Sequence, residues 1–296
     1  MHAPVTACPR PRCSEGLLGP GLRFVGNRLC PFAHRSWWVA EEVQADYEYV
    51  HVDFIEKYER GNLWISNDKP EWYKANVSPV ATIPTLLDDG VPHMALKFTP
   101  DDDLISDHLV AKAKAAGNAT AEIVPSDAGK EGAMRRAITK LADIGVIPAM
   151  YALISTQKPE EDAELAADLW TKLVAANALF SEVSADGPFF FGEMLSLADT
   201  SIVPFLDRFS TTLLHYRGFE MFPQGAQEVS RLKAMLDAAR ERPGFQATTQ
   251  APEFYINTYR SYCSRRGGAT EGEMAAMQAA QSRFVSEAAP AQSSKL

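Results

Sequence analysis

Hydrophobic and polar positions change rhythm along this chain. Leu22-Arg23-Phe24-Val25 is a short extended run, and Pro31 to Val43 follows helical spacing. Pro31 suits the first helical position, where its missing N–H removes no bond the helix needs. Tyr47 to Ile55 alternates, with Tyr49, His51 and Asp53 opposite to Val50, Val52 and Phe54, the period of a half-buried strand. After a polar stretch, Ile83-Pro84-Thr85-Leu86-Leu87 runs into Asp88-Asp89-Gly90, a turn signal from which Met94 to Phe98 returns as the second strand of a hairpin. Leu104 to Ala116 reads as helix. Beyond it only helical spacing remains: Ile138, Leu141, Ile144 and Ile147, then Leu165, Leu169, Leu173 and Ala176, then Val229, Leu232 and Leu236 before Arg242-Pro243-Gly244.

This order, β-α-β then β-β-α followed by helices, predicts an α/β thioredoxin-like N-terminal domain and an all-α helical-bundle C-terminal domain. The expected boundaries are a flexible tail over 1–21, the thioredoxin-like domain over 22–116 and a linker over 117–131. The helical domain then covers 132–250 and a C-terminal extension covers 251–296. The tail is rich in Pro, Gly and Cys without periodicity, and the linker is small, polar and carries Pro125. In the extension, Phe254, Tyr255 and Tyr259 are suited to cover part of the helical domain. Glu271 to Ala289 has the make-up of a polar, Ala-rich helix, and disorder is expected over the last seven residues.

Composition narrows the partners. The formal charge is −9, from 29 Lys+Arg against 38 Asp+Glu, and no long basic run is present, so neither nucleic acid nor an anionic membrane is an expected partner. Cys8, Cys13, Cys30 and Cys263 are too sparse for a disulfide framework and lack the paired spacing that holds zinc. A reducing compartment and no metal are the expectation. The N-terminus has no apolar signal-peptide core, and no apolar run is read as approaching the roughly 20 residues that span a bilayer. A soluble, cytoplasmic protein follows, although an Arg-containing, acid-poor start leaves an organelle address open.

The candidate chemistry starts at Cys30. A cysteine at a helix N-terminus has its thiolate favoured by unpaired backbone N–H groups and the positive end of the helix dipole. Ala33 stands three residues on, so no internal Cys-x-x-Cys disulfide can close, and a mixed disulfide at Cys30 needs an external thiol to resolve it. His34 is read as an exposed helical histidine rather than a base, and Arg35 as a brace for the helix or the domain interface. Of Trp37 and Trp38, at least one is expected in the core. Trp72 and Tyr73 stand near the second candidate site, Ile83-Pro84. That proline opens an edge-like strand, and in this context it suggests a cis peptide whose preceding residue can pair with an extended peptide. Ser196 to Asp199 has the spacing of a capping box, a folding signal without catalysis.

Three motifs, CPFAHR at Cys30–Arg35, KPEWYKANVSPVATIPTL at Lys69–Leu86 and GPFFFGEMLSLADTSIVPFLDRF at Gly187–Phe209, together resemble a cytosolic glutathione transferase, nearest to the cysteine-active omega and lambda classes. The resemblance runs roughly from Leu22 to Pro243. It implies Cys30 as nucleophile with Phe32 lining its approach, Lys69 near the glycine carboxylate of glutathione, and Ile83 with Pro84 as the backbone clamp on its cysteinyl unit. The family's Glu-Ser pair, which holds the γ-glutamyl end, falls on Leu104-Ile105-Ser106-Asp107-His108. Either Ser106 serves with Ile105 in place of the glutamate, or Ser106-Asp107 stands for the pair. The implied activity is glutathione-dependent thiol transfer from mixed disulfides or glutathionyl adducts, with dehydroascorbate reduction within reach. Glutathione is then the co-substrate, beside a small hydrophobic or glutathionylated second substrate. A homodimer is usual for the fold, with monomers among lambda-like members. The competing readings are a non-catalytic binding protein on the same fold and a conjugating or isomerising transferase.

Overall fold

In the computed structural model, which describes residues 19–53, 56–59, 62–65, 69–94, 104–118, 122–184, 186–263 and 267–288, the first extended run becomes β1 (Leu22–Gly26). It lies inside a four-stranded sheet of order β2-β1-β5-β6. β2 (Glu48–His51) runs parallel to β1, with Arg23 opposite Glu48 and Gly26 opposite His51. A parallel pair requires a crossover, and α1 (Pro31–Glu42) supplies it. β5 (Thr85–Asp88) is antiparallel to β1, with Val25 opposite Thr85, and β6 (Val91–Met94) returns as its hairpin partner. Successive residues point to opposite faces of the sheet. Phe24 and Leu86 therefore join a large core with Trp38 and Val39 of α1, while Val25 and Leu87 meet Val52, Tyr73 and Val77 under α2 (Glu71–Asn76).

The structure adds one feature to the sequence reading and shortens others. Where the chain read only as polar, β3 (Glu56–Glu59) and β4 (Asn62–Ile65) form a separate antiparallel hairpin. The run Glu-Lys-Tyr-Glu has no apolar alternation to announce it. The strand expected over Tyr47–Ile55 is trimmed to β2, and Phe54 and Ile55 lie outside the described residues. The returning hairpin strand starts earlier, at Val91, and Ala95 to Phe98 are likewise outside. So are Cys8, Cys13, most of the expected tail and the last eight residues.

Helices make up the rest: α3 (Leu104–Ala115), α4 (Ala128–Ile144), α5 (Val146–Ser155), α6 (Asp162–Ser181), α7 (Leu197–Arg217), α8 (Ser230–Arg240), α9 (Pro243–Thr248), α10 (Pro252–Cys263) and α11 (Glu271–Ala288). α4 begins inside the stretch expected as linker because Asp127 caps it, accepting from the Lys130 N–H at 2.8 Å. Ala128–Ser155 is, contrary to the sequence reading, long and apolar enough in composition to resemble a spanning segment. Its Met134, Ile138, Leu141, Met150 and Leu153 are buried in the helical core. α7 is buried almost all round from Leu197 to Phe209, the pattern of a central helix. α10 of the extension packs onto it, with Tyr255 and Tyr259 buried and the Tyr259 ring 5.5 Å from that of Phe209.

The start of α7 shows how the chain closes a buried helix end. One Asp199 oxygen accepts from the Ser196 N–H and hydroxyl, both at 2.8 Å, and the other accepts from the Phe190 N–H at 2.8 Å. The capping box read from the sequence is present. Gly187 and Gly192 tie the preceding loop: a Cβ on Gly187, at φ 73°, would sit 2.4 Å from the Gly192 backbone.

Candidate active site

Cys30 occupies the N-cap of α1 in extended conformation, with Pro31 as first helical residue and no side-chain cap among the described residues. The helix end is thus left to the sulfur. Cys30 is partly exposed, and Phe32 behind it packs edge-on against Phe205 of α7 with ring centres 5.0 Å apart. Burial of the thiol pushes its pKa up from 9.0. The backbone N–H groups of Ala33 and Phe32 and the charges of Arg208 and Lys69 pull it back without overcoming that. The lowered pKa expected from helix placement is therefore corrected for the free protein: desolvation exceeds the helix end and both cations.

Lys69, just ahead of α2, is buried, which is uncommon for a lysine, and its charge reaches Cys30. The Ile83–Pro84 peptide is cis and leads straight into β5 beside β1. The nearby Tyr73 is buried, and its hydroxyl donates to the Thr82 carbonyl at 2.5 Å and lies 2.8 Å from Thr85 Oγ1. Burial above all raises the hydroxyls of Tyr49, Tyr73, Tyr151, Tyr259 and Tyr262, with a Cys30 thiolate among the lesser causes in each, so phenols from β2, α2, α5 and α10 stand near the thiol in neutral form. A cavity of about 250 Å³ opens beside Phe32 and Arg35, walled by Leu141, Ile147, Pro148 and Tyr151 and predominantly apolar.

On the first turn of α3, Ile105 and Ser106 are buried. Asp107 is engaged by Arg135 of α4, whose guanidinium donates to both its oxygens at 2.6 and 3.1 Å. The carboxylate is thus directed to a neighbouring helix.

His34 departs most from its sequence reading. It is buried rather than exposed. Its Nε2 lies 2.8 Å from Thr248 Oγ1 of α9 and its Nδ1 2.7 Å from Arg208 Nη1 of α7. A guanidinium only donates, so Nδ1 accepts and the ring is neutral with its proton on Nε2. Burial and then the Arg208 charge hold its pKa well below 6.5. Both tryptophans of α1 are core, Trp38 fully. Its Nε1 donates to Glu42, which also pairs with Arg242 at 2.6 Å beside α9. Sequence reasoning missed Arg208, Tyr151 and Tyr262. The one available signal for Arg208 was an arginine within the apolar run Val203-Pro204-Phe205-Leu206-Asp207-Arg208-Phe209.

Comparison with known proteins agrees with this architecture. Residues 29–107 match the family described as glutathione S-transferase, N-terminal domain, and residues 139–248 match glutathione S-transferase, C-terminal domain. The chain belongs to the glutathione S-transferase superfamily. Among curated relatives of this transferase, the "Probable glutathione S-transferase DHAR1, cytosolic" of Oryza sativa subsp. japonica is 25% identical over 77% of this chain and 87% of its own length. "Glutathione S-transferase L3" of Arabidopsis thaliana is 25% identical over 87% and 93%. Among solved structures, glutathione transferase Omega 3C from Trametes versicolor superposes with a TM-score of 0.63 at 22% identity, over 84% of this chain and 93% of that one. That last likeness speaks to the fold. Glutathione is the co-substrate of this family, and the fold seen here is its thioredoxin-like sheet followed by a helical domain.

Proposed function

We propose that this transferase is a glutathione-dependent thiol transferase with Cys30 as its nucleophile. The observation that carries the reading is the N-cap of α1: a partly exposed cysteine at an uncapped helix end, facing the charges of Lys69 and Arg208, with alanine at position 33. The Cys30 thiolate attacks the glutathionyl sulfur of a mixed disulfide, R–S–S–G. A Cys30–glutathione disulfide forms, and R–S⁻ leaves and takes a proton. A second glutathione thiolate attacks the glutathionyl sulfur of that disulfide, releasing oxidised glutathione and returning the Cys30 thiolate. The net change is reduction of R–S–S–G by one glutathione. With a quinone-type glutathionyl adduct Cys30 attacks the glutathionyl sulfur in the same way, the ring carbon–sulfur bond breaks and its electron pair passes to the ring, whose carbon takes a proton; the apolar cavity beside Phe32 suits such a group.

In this reading Lys69 faces the glycine carboxylate, and Ile83 with Pro84 clamps the cysteinyl unit. Ser106 rather than Asp107 meets the γ-glutamyl end, because Asp107 is already committed to Arg135. Incubation with oxidised glutathione is expected to give a single adduct on the Cys30 peptide, reversed by glutathione. Disulfide exchange that persists undiminished in Cys30→Ser would overturn the assignment.

The apolar Ile105 and the engaged Asp107 favour a second reading, a binding protein on the same fold. An intact fold with no glutathione bound in a titration to millimolar concentration would select it.

A further inference from the structure

Arg208 is fully buried on α7, yet among the described residues none of its hydrogen bonds goes to a carboxylate. Its Nη2 donates to the Arg28 carbonyl at 3.2 Å and its Nε to the Leu29 carbonyl at 3.4 Å, the two residues directly before Cys30. Nη1 donates to the Pro204 carbonyl at 2.8 Å and to the neutral His34 ring, and the backbone N–H of His34 donates to the Cys30 carbonyl at 3.0 Å. Its guanidinium carbon lies 4.7 Å above the Tyr255 ring. These neutral partners give each of its three nitrogens an acceptor but do not cancel its charge, and an uncompensated buried charge is costly. The adjacent carboxylate, Asp207, points elsewhere: Oδ1 accepts from Arg240 Nε and Nη2 at 2.9 and 2.8 Å, and Oδ2 from Thr249 at 2.8 Å.

Resting on the reading of Cys30 as nucleophile, we propose that Arg208 is a positioning residue for it: a buried guanidinium that clamps the loop carrying the cysteine and supplies positive charge that favours the Cys30 thiolate when it forms. The geometry brackets the sulfur, gripping the carbonyls before it and the imidazole one turn after it. The other groups facing Cys30 are Lys69 before α2, Tyr49 of β2, Tyr73 of α2, Tyr151 of α5, and Tyr259 and Tyr262 of α10. The tyrosines are held neutral, so among the described residues the charges acting on the sulfur are Arg208 and Lys69, and the first comes from the helical domain. A domain that otherwise walls the second-substrate pocket would thus also set the reactivity of a nucleophile carried by the other domain.

The test is alkylation of Cys30 by iodoacetamide from pH 6 to 11, read by mass spectrometry on the peptide that contains it so that the other cysteines do not contribute. Arg208→Gln is expected to move the curve up by about one pH unit, about tenfold slower alkylation near neutrality, with an unchanged alkaline plateau. Arg208→Lys keeps the charge and loses the fork; it is expected to recover at least half of that shift while its thermal midpoint stays below that of the wild type. A folded Arg208→Gln protein with the wild-type curve overturns the proposal, and so does an Arg208→Lys curve displaced as far as that of Arg208→Gln, which would leave only a structural clamp. Where Arg208→Gln does not fold, Tyr255→Glu replaces it by setting a carboxylate against the guanidinium; an upward shift supports the proposal and an unmoved curve overturns it. The readout is Cys30 ionisation, not turnover. Failure of the thiol-transfer reading, seen as exchange that survives Cys30→Ser, is therefore distinct from failure of this one.

Discussion

Two buried helix starts in this protein are treated in opposite ways. At α7 the chain spends side chains on closure: Asp199 accepts from the N–H groups of Phe190 and Ser196 and from the Ser196 hydroxyl. At α1 it places a cysteine at the N-cap, follows it with proline, and leaves the N–H groups of Phe32 and Ala33 directed at sulfur. The same backbone feature, a set of donors at the positive end of a dipole, serves folding in one place and, in the proposed function, chemistry in the other. What distinguishes them is whether an oxygen or a sulfur fills the cap.

The largest test of this contrast converts the open end into a capped one. Serine is a preferred N-cap and cysteine is not, so Cys30→Ser is expected to lower disulfide exchange to the uncatalysed background. Its stability should stay unchanged or rise by up to about 1 kcal/mol in denaturant unfolding. Exchange kinetics and unfolding midpoints on the same preparation check both halves.

Asp199→Ala breaks the closed end. It strands buried donors and is expected to cost about 3 kcal/mol of stability, with the activity per folded molecule retained. A loss much below 1 kcal/mol would mean that the cap contributes little to α7.

The two helices also oppose each other in pH dependence. His34 of α1 stays neutral in the folded state while the unfolded chain takes up a proton below about 6.5. Its contribution is complete above that pH and is lost as pH falls, by up to about 1.4 kcal/mol per unit. Asp199 has the reverse sign. Burial pushes its carboxyl from 3.8 up to about 6, so the folded state holds the proton longer. Its contribution is therefore present below 3.8 and lost as pH rises to about 6. Stability measured across pH 4–7 for the wild type, His34→Gln and Asp199→Ala separates the two slopes. A His34→Gln slope equal to that of the wild type would contradict a neutral buried imidazole.

The smallest effect concerns a third helix start, α3. Asp107→Asn removes a half-exposed pair with Arg135 and is expected to cost less than about 1 kcal/mol, leaving glutathione affinity unchanged. A drop in affinity would move the γ-glutamyl contact from Ser106 to Asp107.

Much of this was legible in the chain. Period-2 and period-3.6 patterns announced β1, β2, β5 and most helices, because a half-buried strand or helix must repeat its apolar positions to reach a core. Ser196-x-x-Asp199 announced its own cap, because that bond is local. Cys30-Pro31 with Ala33 announced a single thiol at a helix start for the same reason. The hairpin of β3 and β4 was silent, since backbone pairing without apolar alternation leaves no periodic trace.

Everything that depends on residues far apart in sequence belonged to the tertiary structure. His34 looked like a surface residue because nothing within α1 reveals that Thr248 and Arg208, more than 170 positions away, close over it. Nothing near Asp107 in the chain reveals that Arg135, on the next helix, pairs with its carboxylate. The sequence by itself determined which residue has the sulfur and where its helix begins, since both follow from local chain geometry. Only the packing of α7 against α1, and of α10 against α7, decided how deeply that sulfur is desolvated and which buried charge faces it, because desolvation and Coulomb interactions depend on distance in space and not along the chain.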